Sequence, residues 1–218
     1  KEMSFTTEDG VVDIDGNAYH IVTIGDQVWM SENLRVTKYN NGDDIPYLKE
    51  NTDWKINISG ARCSYMYQYT DEYYQIRWQS VDVNDYGFLY NWYAVNDSRK
   101  IAPVGWHVAT NADWVKLIDY AGGQDIAGGK LKQIGWHFWE APGTGAQDTY
   151  GFTALPGGYR LALSGFIGLG QVGSWWTSTL TSDMQHIYSY FMYYDNTEVE
   201  LYLVFEENTG RSVRCVKN

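Results

Sequence analysis

Cysteine is nearly absent: 218 residues contain two, Cys63 and Cys215. That is too few for a disulfide scaffold, and they lie too far apart in sequence for a zinc knuckle. Whether they pair is open at this level; a bond would close a loop of roughly 150 residues and stabilise by about 5 kcal/mol on the chain-entropy account. No run of about eighteen apolar residues occurs, and the longest candidate, LALSGFIGLG from Leu161, is short and glycine-rich, so no transmembrane segment is expected. Basic residues are scarce, 16 Lys and Arg against 27 Asp and Glu; the net charge of -11 repels phosphate backbones, so nucleic acid is not an expected partner. Catalytic signatures are missing as well. The four histidines show no HExxH spacing, no GxSxG elbow occurs, and neither cysteine has a nearby His in sequence to lower its pKa.

Aromatics are abundant instead, with 10 Trp and 19 Tyr, many of them outside the helical segments. Trp and Tyr join a flat apolar face to a polar tip and suit both strand cores and wet binding surfaces. With 44% hydrophobic residues the chain can bury a substantial core, and no repeat or low-complexity linker divides it, so one domain over 1–218 is expected. Lys1 is not an initiator Met, so a processed or trimmed chain is expected, with any export signal or lipid anchor outside these residues.

The first forty residues read as a meander, with strands over 11–14, 17–24 and 27–30 and turns at Asp15-Gly16 and Gly25-Asp26. Residues 49–62 alternate irregularly and read as a surface connection. Residues 63–70 alternate as a strand requires, 79–87 form a polar spacer, and Phe88–Val95 fits a strand or a helix. The strongest helix signal starts at Thr110 or Asn111. Trp114, Leu117, Ile118 and Ala121 follow as one apolar stripe, and Gly122-Gly123 provides the stop. A shorter helix is expected over 125–133, weakened by Gly128 and Gly129 at about 1 kcal/mol each. Beyond Gly135 come glycine-rich loops and short aromatic strands, one of them, from Ile187, covered on both faces.

Several motifs reduce to turns. GLGQVG (168–173) matches a dinucleotide-binding string but is followed by SWWTST, a strand, and reads as a flexible hairpin loop. DIDGN (13–17) and DVNDYG (82–87) place their residues wrongly for a calcium loop, so no cofactor is expected, although calcium held by separate loops stays open. His107 reads as a tie to a backbone carbonyl. The carboxylate pairs Glu206/Glu207 and Glu198/Glu200 read as solvated strand faces rather than a glycosidase pair.

One ordered series of motifs is more specific: DIDGNAYHIVTIGDQVWMSENLRVTKYNNGDDIP, YGFLYNWYAV, GWHVATNADW, AGGKLK, GFTALPGGYR, WWTST and SVRC. In it the chain resembles the Fibrobacter succinogenes major paralogous domain, a secreted bacterial module related to the C-type-lectin and formylglycine-generating-enzyme folds. The resemblance implies an α+β, C-type-lectin-like domain: two helices beside a twisted, mainly antiparallel sheet, with long Gly/aromatic-rich loops. It implies an exported or outer-membrane-surface protein, lipid-anchored through a segment not present here. Relatives often carry Cys where this chain has Ala102, so a disulfide from that position to Cys215 is impossible and Cys63 is the only intrachain alternative. The oxidases of the related fold use a cysteine pair that these two cysteines do not reproduce, so an enzyme is not expected.

The leading expectation is a non-catalytic carbohydrate-binding module. Trp136, Trp139 and Trp176 would stack on sugar rings, and Glu140, Tyr159 and Arg160 would supply polar contacts. In a strand one of the adjacent Trp175 and Trp176 is expected to face in and the other out. The alternative is a structural or protein-binding module of a surface lipoprotein, its aromatics buried.

Overall fold

The computed structural model describes residues 10–135 and 137–218. Near the N-terminus β1 (Val11–Val12) pairs with β2 (Ala18–Tyr19) across residues 13–17. The loop is longer than a two-residue turn because Asp13 organises it: its carboxylate accepts from the amides of Asp15 and Asn17, the Asn17 side chain and the Tyr19 hydroxyl. The two-residue turn falls instead at Gly25-Asp26, between β3 (Ile21–Ile24) and β4 (Gln27–Met30).

The stretch expected to be a surface connection holds a helix, α1 (Asn51–Ile56), because Trp54 is pulled into the interior. After β5 (Arg62–Cys63) come β6 (Met66–Thr70) and β7 (Ile76–Ser80), a hairpin whose second strand runs into the start of the 79–87 spacer and has every residue exposed. α2 (Val83–Tyr86) follows, capped by Asp82, so DVNDYG is a helix cap. Phe88–Val95 is both things its pattern allows, β8 (Leu89–Tyr90) and then α3 (Trp92–Val95).

After β9 (Trp106–Val108), α4 (Asn111–Tyr120) begins at a capping box: Thr110 accepts from the Asp113 amide, and the Asp113 carboxylate accepts from the Thr110 amide. Its buried stripe is Trp114, Leu117 and Ile118. α5 (Gln124–Leu131) contains Gly128 and Gly129 because other backbone lies against it; a Cβ at Gly128 would sit 2.3 Å from the Glu198 carbonyl oxygen. The remaining strands are β10 (Gly157–Leu161), β11 (Gly165–Leu169), β12 (Val172–Leu180), β13 (Ile187–Tyr193), β14 (Glu200–Val204) and β15 (Cys215–Lys217).

The architecture is mixed α/β with mainly antiparallel sheets. One sheet runs β11-β10-β12-β13-β14 and another β3-β4-β15-β9. The β10–β12 pair is parallel, so GLGQVG links two strands that flank β10 and is not a hairpin loop. In the five-stranded sheet, both faces of the central strand β12 are covered around the Trp175-Trp176 pair. Trp175 packs with Trp29, Trp114 and Tyr190 on one side, Trp176 with Tyr90, Trp92 and Ile187 on the other. Hence neither tryptophan of the pair faces solvent, contrary to the expectation from alternation alone.

A buried polar hub joins these layers. Arg214 donates to Asn33 Oδ1 and to the carbonyls of Met30, Phe152 and Thr153. Asn33 Oδ1 also accepts from Trp175 Nε1, and Asn33 Nδ2 donates to Tyr86 O and Ser212 Oγ. Asn33→Ala orphans several of these groups at once; since each buried unsatisfied group costs about 1–3 kcal/mol, a loss of roughly 3–5 kcal/mol is expected in denaturant unfolding, against almost none for an exposed control such as Asn41→Ala.

His107 does not meet a backbone carbonyl. Its ring bridges Asp113 Oδ2 at 3.0 Å and Asn218 Oδ1 at 2.8 Å. The Asp113 bond raises the His107 pKa against an opposing burial effect. Burial pulls Asp113 upward, but hydrogen bonds from His107 and Thr110 outweigh it and hold the carboxyl at about 2. The histidine stabilises fully below its ordinary 6.5 and loses this as pH rises through its raised folded value. The aspartate stabilises above its ordinary 3.8 and loses this as pH falls towards 2. His107→Gln is therefore expected to lower the melting temperature most between these two ordinary values, and progressively less above neutrality.

Candidate functional site

The two cysteines occupy separate cores, Cys63 beside Trp54 and Leu89, Cys215 beside Tyr90 and Trp176, and both are free. The disulfide considered from sequence is thus not formed. Burial pushes the Cys63 thiol up to about 11 and Cys215 further.

The aromatic residues proposed from sequence as a sugar platform do not converge. Trp136 lies outside the described residues. Trp139 is buried, donating Nε1 to Ala154 O with Lys132 Nζ 5.1 Å from its ring centre. Trp176 is buried and donates to Tyr90 O. These two indoles have no free face for a ligand, because both are buried in the core. Glu140 is exposed and accepts from Gln171 Nε2. Tyr159 is half-buried on the five-stranded sheet, and Arg160 is fully buried.

Arg160 nevertheless shapes a cleft. Its Nη1 donates to Leu48 O, and its Nη2 to Lys49 O and Asn51 Oδ1, while the guanidinium lies over Trp54 and Phe166. These bonds hold the segment entering α1 as one wall of a cleft of about 660 Å³. The second wall is the β6–β7 hairpin, where Gln68 stands opposite Trp78 and Met66 opposite Ser80, so that Met66, Gln68 and Trp78 share a face. The third is Ser164, Gly165 and Phe166.

Trp78 is 58% exposed, the largest apolar surface lining the cleft, and Tyr65, Tyr67 and Phe166 add aromatic edges. Residues with hydrogen-bonding side chains also line the cleft: Gln68, Ser164, Thr52, Glu50 and Lys49. Asn51 Oδ1 is committed to Arg160, which leaves its Nδ2 as a donor towards Gly165. The hairpin is pinned at its tip by Asp71, which accepts from the Tyr73 and Gln75 amides and from Arg77 Nε. The bonds from Gln75 and Arg77 hold its carboxyl below the usual range. The arrangement offers an aromatic face with mixed donors and acceptors, suited to a polyhydroxylated ring. Sequence reading missed it because Trp78 falls between the strand read over 63–70 and the polar spacer 79–87, in a segment with no assigned element; the alternation of Tyr65, Tyr67 and Tyr69 is the one signal that touched it.

Residues 22–217 match the family described as Fibrobacter succinogenes major domain. The chain belongs to this family. No curated protein and no solved structure matches it. The match begins inside β3 and ends inside β15, so both larger sheets and all three cleft walls belong to the Fibrobacter succinogenes major domain. No helix among the described residues is long and apolar enough to cross a membrane.

Because both thiols are sealed, a thiol reagent such as Ellman's is expected to leave the native protein unmodified and to titrate both cysteines in denaturant. Loss of one thiol pair in the denatured, unreduced protein would reveal a disulfide instead.

Proposed function

We propose that this Fibrobacter succinogenes major domain is a non-catalytic carbohydrate-binding module, with the sugar lying in the cleft between Trp78 and the Arg160-held wall. The single observation behind this reading is the exposed Trp78 in a cleft also lined by residues with amide, hydroxyl and charged side chains. A pyranose presents an apolar face to an indole and hydroxyls to its flanks, and the cleft has both kinds of partner on opposing walls. Glu50 is the one carboxylate among the lining residues, whereas glycoside hydrolysis generally uses two flanking the bond. Buried thiols favour the same non-catalytic reading, since a raised pKa leaves little nucleophilic thiolate at neutral pH.

We read the fold as C-type-lectin-like, supported by α4 and α5 beside mainly antiparallel sheets. Placement at the cell exterior or outer-membrane surface is part of the same proposal and accords with the glycan partner. A protein-binding role is the second reading; it draws on the edge strand β14, where Leu201, Tyr202, Leu203 and nearby Phe205 are exposed.

Glycan-array screening followed by calorimetry tests the proposal. Trp78→Ala is expected to fold normally, because the side chain is exposed, and to weaken binding about tenfold, the scale of one lost aromatic stacking contact. Absence of binding to every neutral glycan, or binding indifferent to Trp78, would transfer the case to the β14 edge.

A further inference from the structure

Four cations are at least nine-tenths buried: Lys132, Arg160, Arg211 and Arg214. Among the described residues none has a carboxylate within salt-bridge distance. Three have at least three oxygen acceptors each, although Arg160 Nε is sealed without a partner. Lys132 Nζ donates to the carbonyls of Thr144, Tyr193 and Asn196; Arg160 and Arg214 have the carbonyl and amide acceptors given above. Arg211 differs, with a single bond from Nη1 to Ser174 Oγ at 2.6 Å. Its Nε is sealed without a partner. Its Nη2 has no acceptor among the described residues and is not among the sealed, unpartnered nitrogens, and the residue as a whole keeps 4% exposure. Burial pushes the guanidinium down only to about 10, so it stays a cation at neutral pH. A buried charge so poorly compensated is costly unless a further partner completes it.

The surroundings say what kind of partner. The guanidinium is ringed by Tyr159, Phe191 and Trp176, with centroids at 5.1, 4.7 and 4.9 Å. Trp176 closes the inner side; the outer side is an aromatic sheet face continuing from Phe191 to Tyr193 and Tyr202. Tyr159 and Tyr193 are half-buried and Tyr202 is 42% exposed. Hydroxyls line it in a chain, Tyr193 donating to Tyr202 at 3.2 Å and Tyr202 to Glu200 Oε2 at 2.9 Å, while the Tyr159 hydroxyl has no acceptor among the described residues. Glu200 and Glu206, with the net charge of -11, oppose a polyanion. The match is a flat polyhydroxylated ring bearing one carboxylate.

We propose that this face is a second binding site, distinct from the Trp78 cleft, for an acidic monosaccharide unit. The carboxylate meets Arg211 Nη2, and the ring lies against Tyr159 and Tyr202. Charge-assisted bonds from a desolvated guanidinium are the strong class, and here the cation is already positioned and dehydrated.

The test is a titration of the full chain with glucuronic acid, glucose and acetate, followed by NMR of the Arg211 Nε–H and of the amides of Tyr159, Phe191 and Tyr202. Glucuronate is expected to shift these signals and to bind about ten- to a hundredfold more tightly than glucose. Arg211→Gln is expected to abolish that preference. Should Arg211→Gln not fold, Tyr159→Ala and Tyr202→Ala, both near the surface, are expected to weaken glucuronate binding in a folded protein. Shifts at Gln68 and Phe166 report the cleft and shifts at Tyr159, Phe191 and Tyr202 report this face, so failure of the cleft reading and failure of this one are separable. Equal affinity for glucose, acetate binding as tight as glucuronate, shifts confined to the cleft, or no shifts up to the solubility limit of the sugar would each overturn the proposal.

Discussion

Asn33 and Arg214 meet in the interior, and the layers of this domain are organised around that meeting. Asn33 Oδ1 takes hydrogens from both Arg214 Nε and Trp175 Nε1, and its amide nitrogen reaches Tyr86 and Ser212. Arg214 carries the same connection outward to Met30, Phe152 and Thr153. Through one amide and one guanidinium, β4, the end of α2, β12, the loop before β10 and the run into β15 are tied together. A charge without a carboxylate partner is tolerable at the centre of a protein only if its donors are nearly all used, and here they are. Its dependence on so many carbonyls makes it specific to one packing of the chain.

Lys132 and Arg160 apply the same device to loops. Lys132 collects three carbonyls from two distant segments, around Thr144 and around Tyr193 to Asn196, and so orders stretches that have little regular secondary structure. Arg160 does this for the entry to α1 and thereby builds a wall of the cleft without touching its interior. Chain segments poor in ladder hydrogen bonds still need their carbonyls satisfied, and long cationic side chains reach them from below. Arg211 departs from this pattern, and its departure coincides with an aromatic face open to solvent.

The aromatic wealth of the chain divides between packing and recognition by whether the sheet face carrying it is covered. Trp175 and Trp176 alternate as strand residues must, yet each enters a different core, because α4 lies against one face of the sheet and α3 against the other. Trp78 has no such cover; the β6–β7 hairpin pairs only with itself among the described residues, so its side chains remain at the surface. Recognition chemistry therefore gathers on the hairpin and on the margin of the large sheet, away from the loop around Trp139.

Local chemistry in the sequence determined the elements whose signals are self-contained. Thr110 and Asp113 cap α4, its apolar stripe sets the buried face, Gly25-Asp26 turns β3 into β4, and the alternation from Ile187 marks a strand covered on both sides. The ordered motifs also carried the family kinship. Tertiary structure alone decided the rest. It buried Trp139, Trp176 and Arg160, drew Trp54 inward to make a helix of an irregular stretch, kept Cys63 and Cys215 in separate cores, and set Trp78 across a cleft from Asn51. The physical reason is that periodicity tells which side chains share a face, whereas the partner that covers or bares that face comes from residues far away in the chain.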